Sequence, residues 1–142
     1  MNVIGAIIAG LIGTAVMTLL MTVAPMMGMP KMNVIGMLGT MVTADPGTAT
    51  AAGTFGHFMM GVIFAIIYAA LWTAGIGSPT ALSGVVFGLV HGIIAALMMP
   101  LMLRVHPRPP GMSTGPMMLT GLLVGHVAYG LTVALVYGLF VG

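Results

Sequence analysis

The segment GHFMMGVIFAIIY, residues 56–68, decides the fold because it returns as GHVAYGLTVALVY at residues 125–137. The shared pattern is G-H-x-x-x-G-x-x-x-A-x-x-Y, which places two of the four histidines and two of the three tyrosines in register. On a helix, which turns by about 100° per residue, the matched residues fall on one face. We therefore interpret the two segments as an internal repeat, two helices with a face in common.

The composition is that of an integral membrane protein. Among 142 residues, 60% are hydrophobic, three are Lys or Arg, and one is Asp or Glu, so the chain lacks the charged surface of a soluble domain. A helix needs about 20 apolar residues to cross the hydrocarbon core. Stretches of this kind occur at about residues 3–25, 51–73, 79–103 and 117–141. The sequence therefore predicts a single transmembrane domain, residues 1–142, with four spans.

The repetition extends to the other two spans. Spans 1 and 3 share a weaker match, Gly13 with Gly88 and Pro25 with Pro100. Two tandem hairpins of the same topology predict an all-α four-helix bundle with a pseudo-two-fold axis along the membrane normal.

The connection between spans 1 and 2 contains a short apolar segment. Residues 32–43 are too few to cross a membrane, which predicts an interfacial or re-entrant helix. The segment begins with MNVIG, the pentapeptide that also stands at residues 1–5.

The basic residues lie in two connections, residues 26–50 and 104–116, which an even number of crossings puts on one face. The positive-inside tendency predicts that this face is cytoplasmic, with both termini outside. Asp45 is expected on the same face as Arg104 and Arg108 and can pair with either. The net charge of +2 is too small for a nucleic-acid-binding surface, so the expected partners are the lipid bilayer and other membrane proteins.

Several classes of function are excluded by what the spans lack. They contain no Asp, Glu, Lys or Arg, which argues against a carboxylate proton relay and acid–base catalysis. Phosphate-binding and nucleophile motifs are also missing, and the absence of cysteine excludes a thiolate metal site. We therefore do not expect an enzyme. Tyr68, Trp72 and Tyr137, near the outer ends of spans 2 and 4, are expected to anchor the bundle at the membrane interface.

The histidines are the candidate ligands. His57 and His126 lie about 9 and 12 Å inside their spans at 1.5 Å per residue, and His91 lies deeper. Ionisable residues at such depths usually face a bundle interior. If His57 and His126 oppose each other, with Gly61 and Gly130 leaving space one turn away, they suit axial ligation of a haem b-like tetrapyrrole. The same arrangement can also hold a chlorophyll-type pigment, or a metal with His91 as third ligand. Alternatively, the histidines hydrogen-bond across helices and the glycines only permit close packing.

Methionine is the second unusual feature, with 17 in the chain. Those in the spans lie in the half toward the cytoplasmic connections. Those in the connections are Met26, Met27, Met29, Met32, Met37, Met41 and Met112. Thioether sulfur suits Cu(I), and Met17 and Met21 lie one turn apart. This spacing resembles the M-x-x-x-M element of eukaryotic-type copper importers, which implies Cu(I) or soft-metal binding or transport. Those importers have three spans, however, and methionine is also a common flexible filler of apolar cores.

Four spans, a repeated hairpin and a histidine in spans 2 and 4 resemble the small four-helix bacterial inner-membrane families of unknown function. The resemblance covers the chain and implies a fold. We predict a cofactor-binding subunit of a redox or photosynthetic electron-transport assembly. The alternatives are soft-metal binding or transport, and a purely structural accessory subunit of a larger complex or homo-oligomer.

Overall fold

The computed structural model describes residues 1–111 and 115–142, and this part of the chain contains helices and no strand. The helices are α1 (Val3–Val23), α2 (Val34–Val42), α3 (Pro46–Thr73), α4 (Ala81–Val105) and α5 (Pro116–Gly138). A 3-10 turn, Ala24–Met27, extends α1. The all-α prediction is confirmed. Met112 and the middle of the connection 104–116 lie outside the described residues.

Four of these helices are long and apolar enough to cross a membrane: α1 with its 3-10 turn, α3, α4 and α5. Large apolar side chains project from their outer faces, among them Ile4, Leu19 and Leu97. Such surfaces are compatible with contact with a lipid bilayer. The protein is therefore a helical membrane protein.

The repeated MNVIG segment begins two helices. The side chain of Asn2 accepts a hydrogen bond from the Gly5 backbone N–H at 2.9 Å, and that of Asn33 accepts one from Gly36 at 2.9 Å. Asparagine satisfies an N-terminal N–H that the helix itself leaves unpaired. The pentapeptide is thus one N-capping sequence used for both α1 and α2.

Helix α3 begins before residue 51, the predicted start of its span, because Asp45 caps it. The Asp45 carboxylate accepts a hydrogen bond from the Thr48 backbone N–H at 2.8 Å, and Pro46 occupies the first helical position, where its missing N–H costs nothing. The same hydrogen bond lowers the pKa of Asp45. Asp45 therefore has a capping role, and the described residues contain no ion pair between it and Arg104 or Arg108.

The helices pack in the order α3, α1, α5, α4. Helix α1 packs against both α3 and α5, and α5 packs against α4. Among the described residues, α3 and α4 show no backbone packing of comparable closeness, although a tight turn with positive φ at Gly75 and Gly77 joins them. Aromatic side chains bridge them instead, as in the edge contact of Tyr68 with Phe87, whose ring centres are 5.1 Å apart. A gap therefore runs between α3 and α4.

The two hairpins repeat the same glycine contact. Gly10 of α1 packs against Gly61 of α3, and Gly84 of α4 packs against Gly130 of α5. A Cβ atom at Gly10 would lie 2.9 Å from the Gly61 carbonyl oxygen, and one at Gly84 would lie 2.5 Å from that of Gly130. Only glycine permits backbones to approach so closely. The sequence repeat is therefore also a repeat of helix packing.

This contact corrects the predicted match between α1 and α4 by one residue. When Gly10 is matched to Gly84, Gly88 corresponds to Thr14 and not to Gly13, and the predicted proline pair is displaced by the same amount. In the observed register, Met17 of α1 corresponds to His91 of α4.

The aromatic residues predicted to anchor the membrane interface are instead buried inside the bundle, so that prediction was wrong. Tyr137 is 2% exposed and stacks on Trp72, with ring centres 5.7 Å apart. Trp72 donates its Nε1–H to the hydroxyl of Ser83 at 3.0 Å, which satisfies its polar atom. Tyr68 is buried next to both Trp72 and Tyr129. This aromatic core closes the end of the bundle near the termini, which we call the terminus side.

Candidate functional site

A cavity of about 190 Å³ lies in the opposite half of the bundle, toward α2 and the α4–α5 connection, which we call the loop side. All five helices contribute to its wall. The wall is almost entirely apolar and contains six methionines: Met17, Met37, Met60, Met98, Met99 and Met102. Its polar side chains are His57, His91, His126, Thr14 and Tyr129.

The hydrogen bonding of His126 leaves one ring nitrogen available. Its Nδ1 lies 2.8 Å from the carbonyl oxygen of Leu122, one turn earlier in α5. A carbonyl oxygen can only accept, so Nδ1 holds the proton. In the neutral imidazole, the Nε2 lone pair is then available to a ligand.

The same reasoning applies to His91. Its Nδ1 is 3.1 Å from the Tyr68 hydroxyl, which is also 3.1 Å from the carbonyl oxygen of Phe87. When the hydroxyl proton is donated to the carbonyl, Nδ1–H of His91 donates to the tyrosine oxygen and Nε2 keeps its lone pair. A hydrogen bond from the far ring nitrogen is the arrangement that orients a metal-binding histidine.

His57 is the unsatisfied member of the group. It is 7% exposed, and its Nε2 is buried without a hydrogen-bond partner in the described part of the chain. A buried polar atom left unpaired costs about 1–3 kcal/mol. Such an atom calls for an explanation, and a bound ion is one of the accepted ones.

The prediction paired His57 with His126, but His126 is in ring contact with a different histidine. The His91 and His126 rings have their centres 4.6 Å apart at an interplanar angle of 73°. All three side chains nevertheless line one cavity. Within residues 1–111 and 115–142, no group of three or more His, Cys, Asp or Glu side chains is arranged to hold a metal ion. A complete metal site here therefore needs methionine sulfur in addition to imidazole.

A model of a family of unknown function, DUF6789, matches residues 1–142. The chain belongs to this family. The predicted resemblance to an unknown-function family is thereby confirmed. No curated protein and no solved structure matches the DUF6789 chain.

The two glycines predicted to leave room for a ligand have different surroundings in the DUF6789 chain. Gly61 lines the cavity, but its α-carbon is pressed against the hydroxyl of Thr14. Gly130 does not line the cavity, since a Cβ there would lie 2.7 Å from the backbone of Gly88. Close helix packing explains both residues, and the expected ligand-clearing role does not fit the position of Gly130.

The two methionines of the predicted pair also lie in different surroundings. Met17 is buried and lines the cavity, and its side chain reaches Gly125 of α5. Met21, one turn later, packs between the two apolar clusters of the bundle and does not line the cavity. Of the two, only Met17 can supply sulfur to a ligand in this cavity.

Two residues of the site were missed because they occupy positions that the repeat does not match. Tyr129 donates its hydroxyl proton to the Gly61 carbonyl oxygen, and Thr14 donates to that of Gly10. Tyr129 is the tyrosine that has no match between the repeated segments, and that exception was the available signal. The Tyr129 hydroxyl therefore joins α5 to α3, whereas the Thr14 hydroxyl is bonded within α1 and packs against Gly61 of α3.

The cavity opens sideways between α3 and α4. Met60, Ile94 and Met98 line it and are also exposed on the outer surface, Ile94 by 53%. A second apolar cavity, of about 280 Å³, continues along the same gap toward the terminus side and shares Phe64, His91 and Ile94 with the first. The gap between α3 and α4 is therefore also where the cavity opens to the outside of the bundle.

Proposed function

We propose that this protein binds a soft transition-metal ion inside the membrane, with Cu(I) as the best fit. His57 would supply imidazole nitrogen together with one of the two rings in contact, His91 or His126, and Met17 would supply thioether sulfur; no three histidines of the described chain are arranged around one ion. The observation that supports the proposal is the partnerless Nε2 of His57 in the wall of a cavity shared with two further imidazoles.

The donor chemistry favours a soft ion. Nine of the eighteen residues that line the cavity are histidine or methionine, and none is a carboxylate. Thioether sulfur selects Cu(I), and imidazole suits copper and zinc, whereas Mg²⁺ and Ca²⁺ require oxygen ligands. A soft ion also loses less than a hard one when water is replaced by sulfur and nitrogen.

A haem-like tetrapyrrole is the second candidate, because His57 and His126 line the same cavity. Sites for drug-sized ligands occupy about 300–1,000 Å³, more than the 190 Å³ of this cavity. A macrocycle would therefore require α3 and α4 to separate. These are the helices that pack least closely in the described bundle.

The test is a Cu(I) titration of the purified protein in lipid nanodiscs, under anaerobic conditions and against a competing chromophoric chelator. We expect one Cu(I) per chain in the wild type, with affinity lowered at least about 100-fold in His126→Ala or Met17→Leu. Met59→Leu is the matched control, since Met59 neighbours Met60 but does not line the cavity. An absorption spectrum of the natively purified sample reports bound haem. A protein with neither metal nor colour would instead support a structural subunit.

A further inference from the structure

The loop-side wall of the cavity is formed by α2, through Val34, Met37 and Leu38. This helix is fixed to α3 by backbone contact. Gly39 lies directly on the backbone of Ala49, and Gly53 of α3 lies directly on that of Ile35. Side chains larger than hydrogen do not fit there. Helix α2 and the adjacent half of α3 therefore form one unit.

The other wall of the gap is tied to this unit by His106, which follows α4 directly. His106 is buried, and its Nε2 donates to the carbonyl oxygen of Met37 at 2.7 Å. Its Nδ1 accepts the backbone N–H of Arg108 at 3.0 Å. A single tautomer, with the proton on Nε2, satisfies both hydrogen bonds. The imidazole thus joins the end of α4 to the middle of α2.

Arg108 makes a second connection to the same helix. Its Nε donates to the carbonyl oxygen of Thr40 at 2.9 Å, and a terminal nitrogen donates to that of Met41 at 3.4 Å. These carbonyls belong to the last turn of α2, which has no intrahelical partners for them. The guanidinium also faces the negative end of the helix dipole. Arg108 therefore caps α2 across the gap.

We infer that His106 and Arg108 form a latch that controls access to the histidine cavity from the loop side. The terminus side of the gap is held by buried aromatic rings, but Arg108 is solvent-exposed. Exposed hydrogen bonds open at low free-energy cost. Release of the latch lets the end of α4, with Met99 and Met102, move away from α2 and widens the cavity. The latch itself does not depend on the proposed function; only the identity of the ligand that enters the cavity rests on it.

Cysteine accessibility tests the latch, since the natural chain contains no cysteine. Met99→Cys places a thiol in the cavity wall, and Ala69→Cys places one in the aromatic core. Each reporter is combined with Arg108→Ala, and with Arg104→Ala as the matched control for loss of an exposed positive charge. The measured quantity is the rate of reaction with a charged methanethiosulfonate in nanodiscs, without metal.

Arg108→Ala should raise the rate at Met99→Cys about tenfold, equivalent to about 1.4 kcal/mol, and leave Ala69→Cys unchanged. Arg104→Ala should change neither. Equal rates at Met99→Cys with and without Arg108 would overturn the latch, and so would parallel increases at both reporters, which would mean general loosening. Because no metal is used, failure of the latch and failure of metal binding are distinguishable.

Discussion

Replacing Gly130 with alanine tests how the hairpins are held together. The added Cβ would lie 2.7 Å from the Cα and backbone nitrogen of Gly88. The Gly84 carbonyl oxygen would be closer still, and ordinary van der Waals contact begins at 3.4 Å, so α4 and α5 must move apart by more than about 0.7 Å at a place where only backbone can yield. Overpacking of this kind costs about 1–3 kcal/mol.

Gly125→Ala is the matched control on the same helix. Its Cβ would meet only the flexible end of Met17, at 3.5 Å. Both variants replace glycine by alanine, which favours the helix by about 0.8–1.0 kcal/mol. This contribution to the free energy of unfolding cancels in the comparison. Gly130→Ala should therefore be less stable than Gly125→Ala by about 1–3 kcal/mol.

The assay is equilibrium unfolding in mixed micelles with increasing dodecyl sulfate, followed by circular dichroism. Equal stability of the two variants would refute the close α4–α5 contact, and with it the assignment of Gly130 to packing. A gain in stability for Gly130→Ala alone would contradict the close contact as well.

Three further predictions concern single side chains. Tyr68→Phe removes the hydrogen bond that orients His91 and should weaken Cu(I) binding about 10–100-fold in the chelator titration, with little change in fold. His57→Leu removes an unpaired buried nitrogen and should stabilise the metal-free protein against dodecyl sulfate by about 1–3 kcal/mol while abolishing metal binding. The hydrogen bond from the Thr48 N–H lowers the pKa of Asp45, so the Thr48 N–H chemical shift should titrate at a lower pH than a free aspartate does, as acid protonates the cap, and show no such titration in Asp45→Asn.

The inward faces of α3 and α5 could be predicted because the repeat fixes them independently of any neighbour. His57 and His126 recur at the same position of a helix that also repeats its glycine and tyrosine. A residue's face follows from the 3.6-residue period, and both histidines do line the cavity.

The neighbours of these faces could not be predicted. Periodicity does not show which helix stands opposite, so the contact of His126 with His91 was not foreseen. Glycine matches between α1 and α4 are ambiguous in a chain with 22 glycines, and only the packing of Gly10 and Gly84 sets the register. Aromatic residues near the ends of spans have the same sequence pattern at a membrane interface as in a bundle core. Trp72 was therefore predicted at the interface, although it lies in the core.

The latch could not be predicted from the sequence for a different reason. The path of the α4–α5 connection is set by tertiary contacts, and its prolines fix only local backbone angles. The sequence suggested that Arg108 can pair with Asp45. In the structure Arg108 binds the free carbonyls at the end of α2, which no pattern of charges specifies.

The proposed site requires that nitrogen and sulfur donors in one cavity bind the same ion. X-ray absorption at the copper edge of the Cu(I)-loaded protein tests it most directly, with wild type compared with Met17→Leu. We expect both imidazole nitrogen and thioether sulfur in the copper coordination shell of the wild type, and loss of the sulfur in the variant. A protein that retains no copper, or a shell of light atoms alone that is identical in both samples, would contradict it.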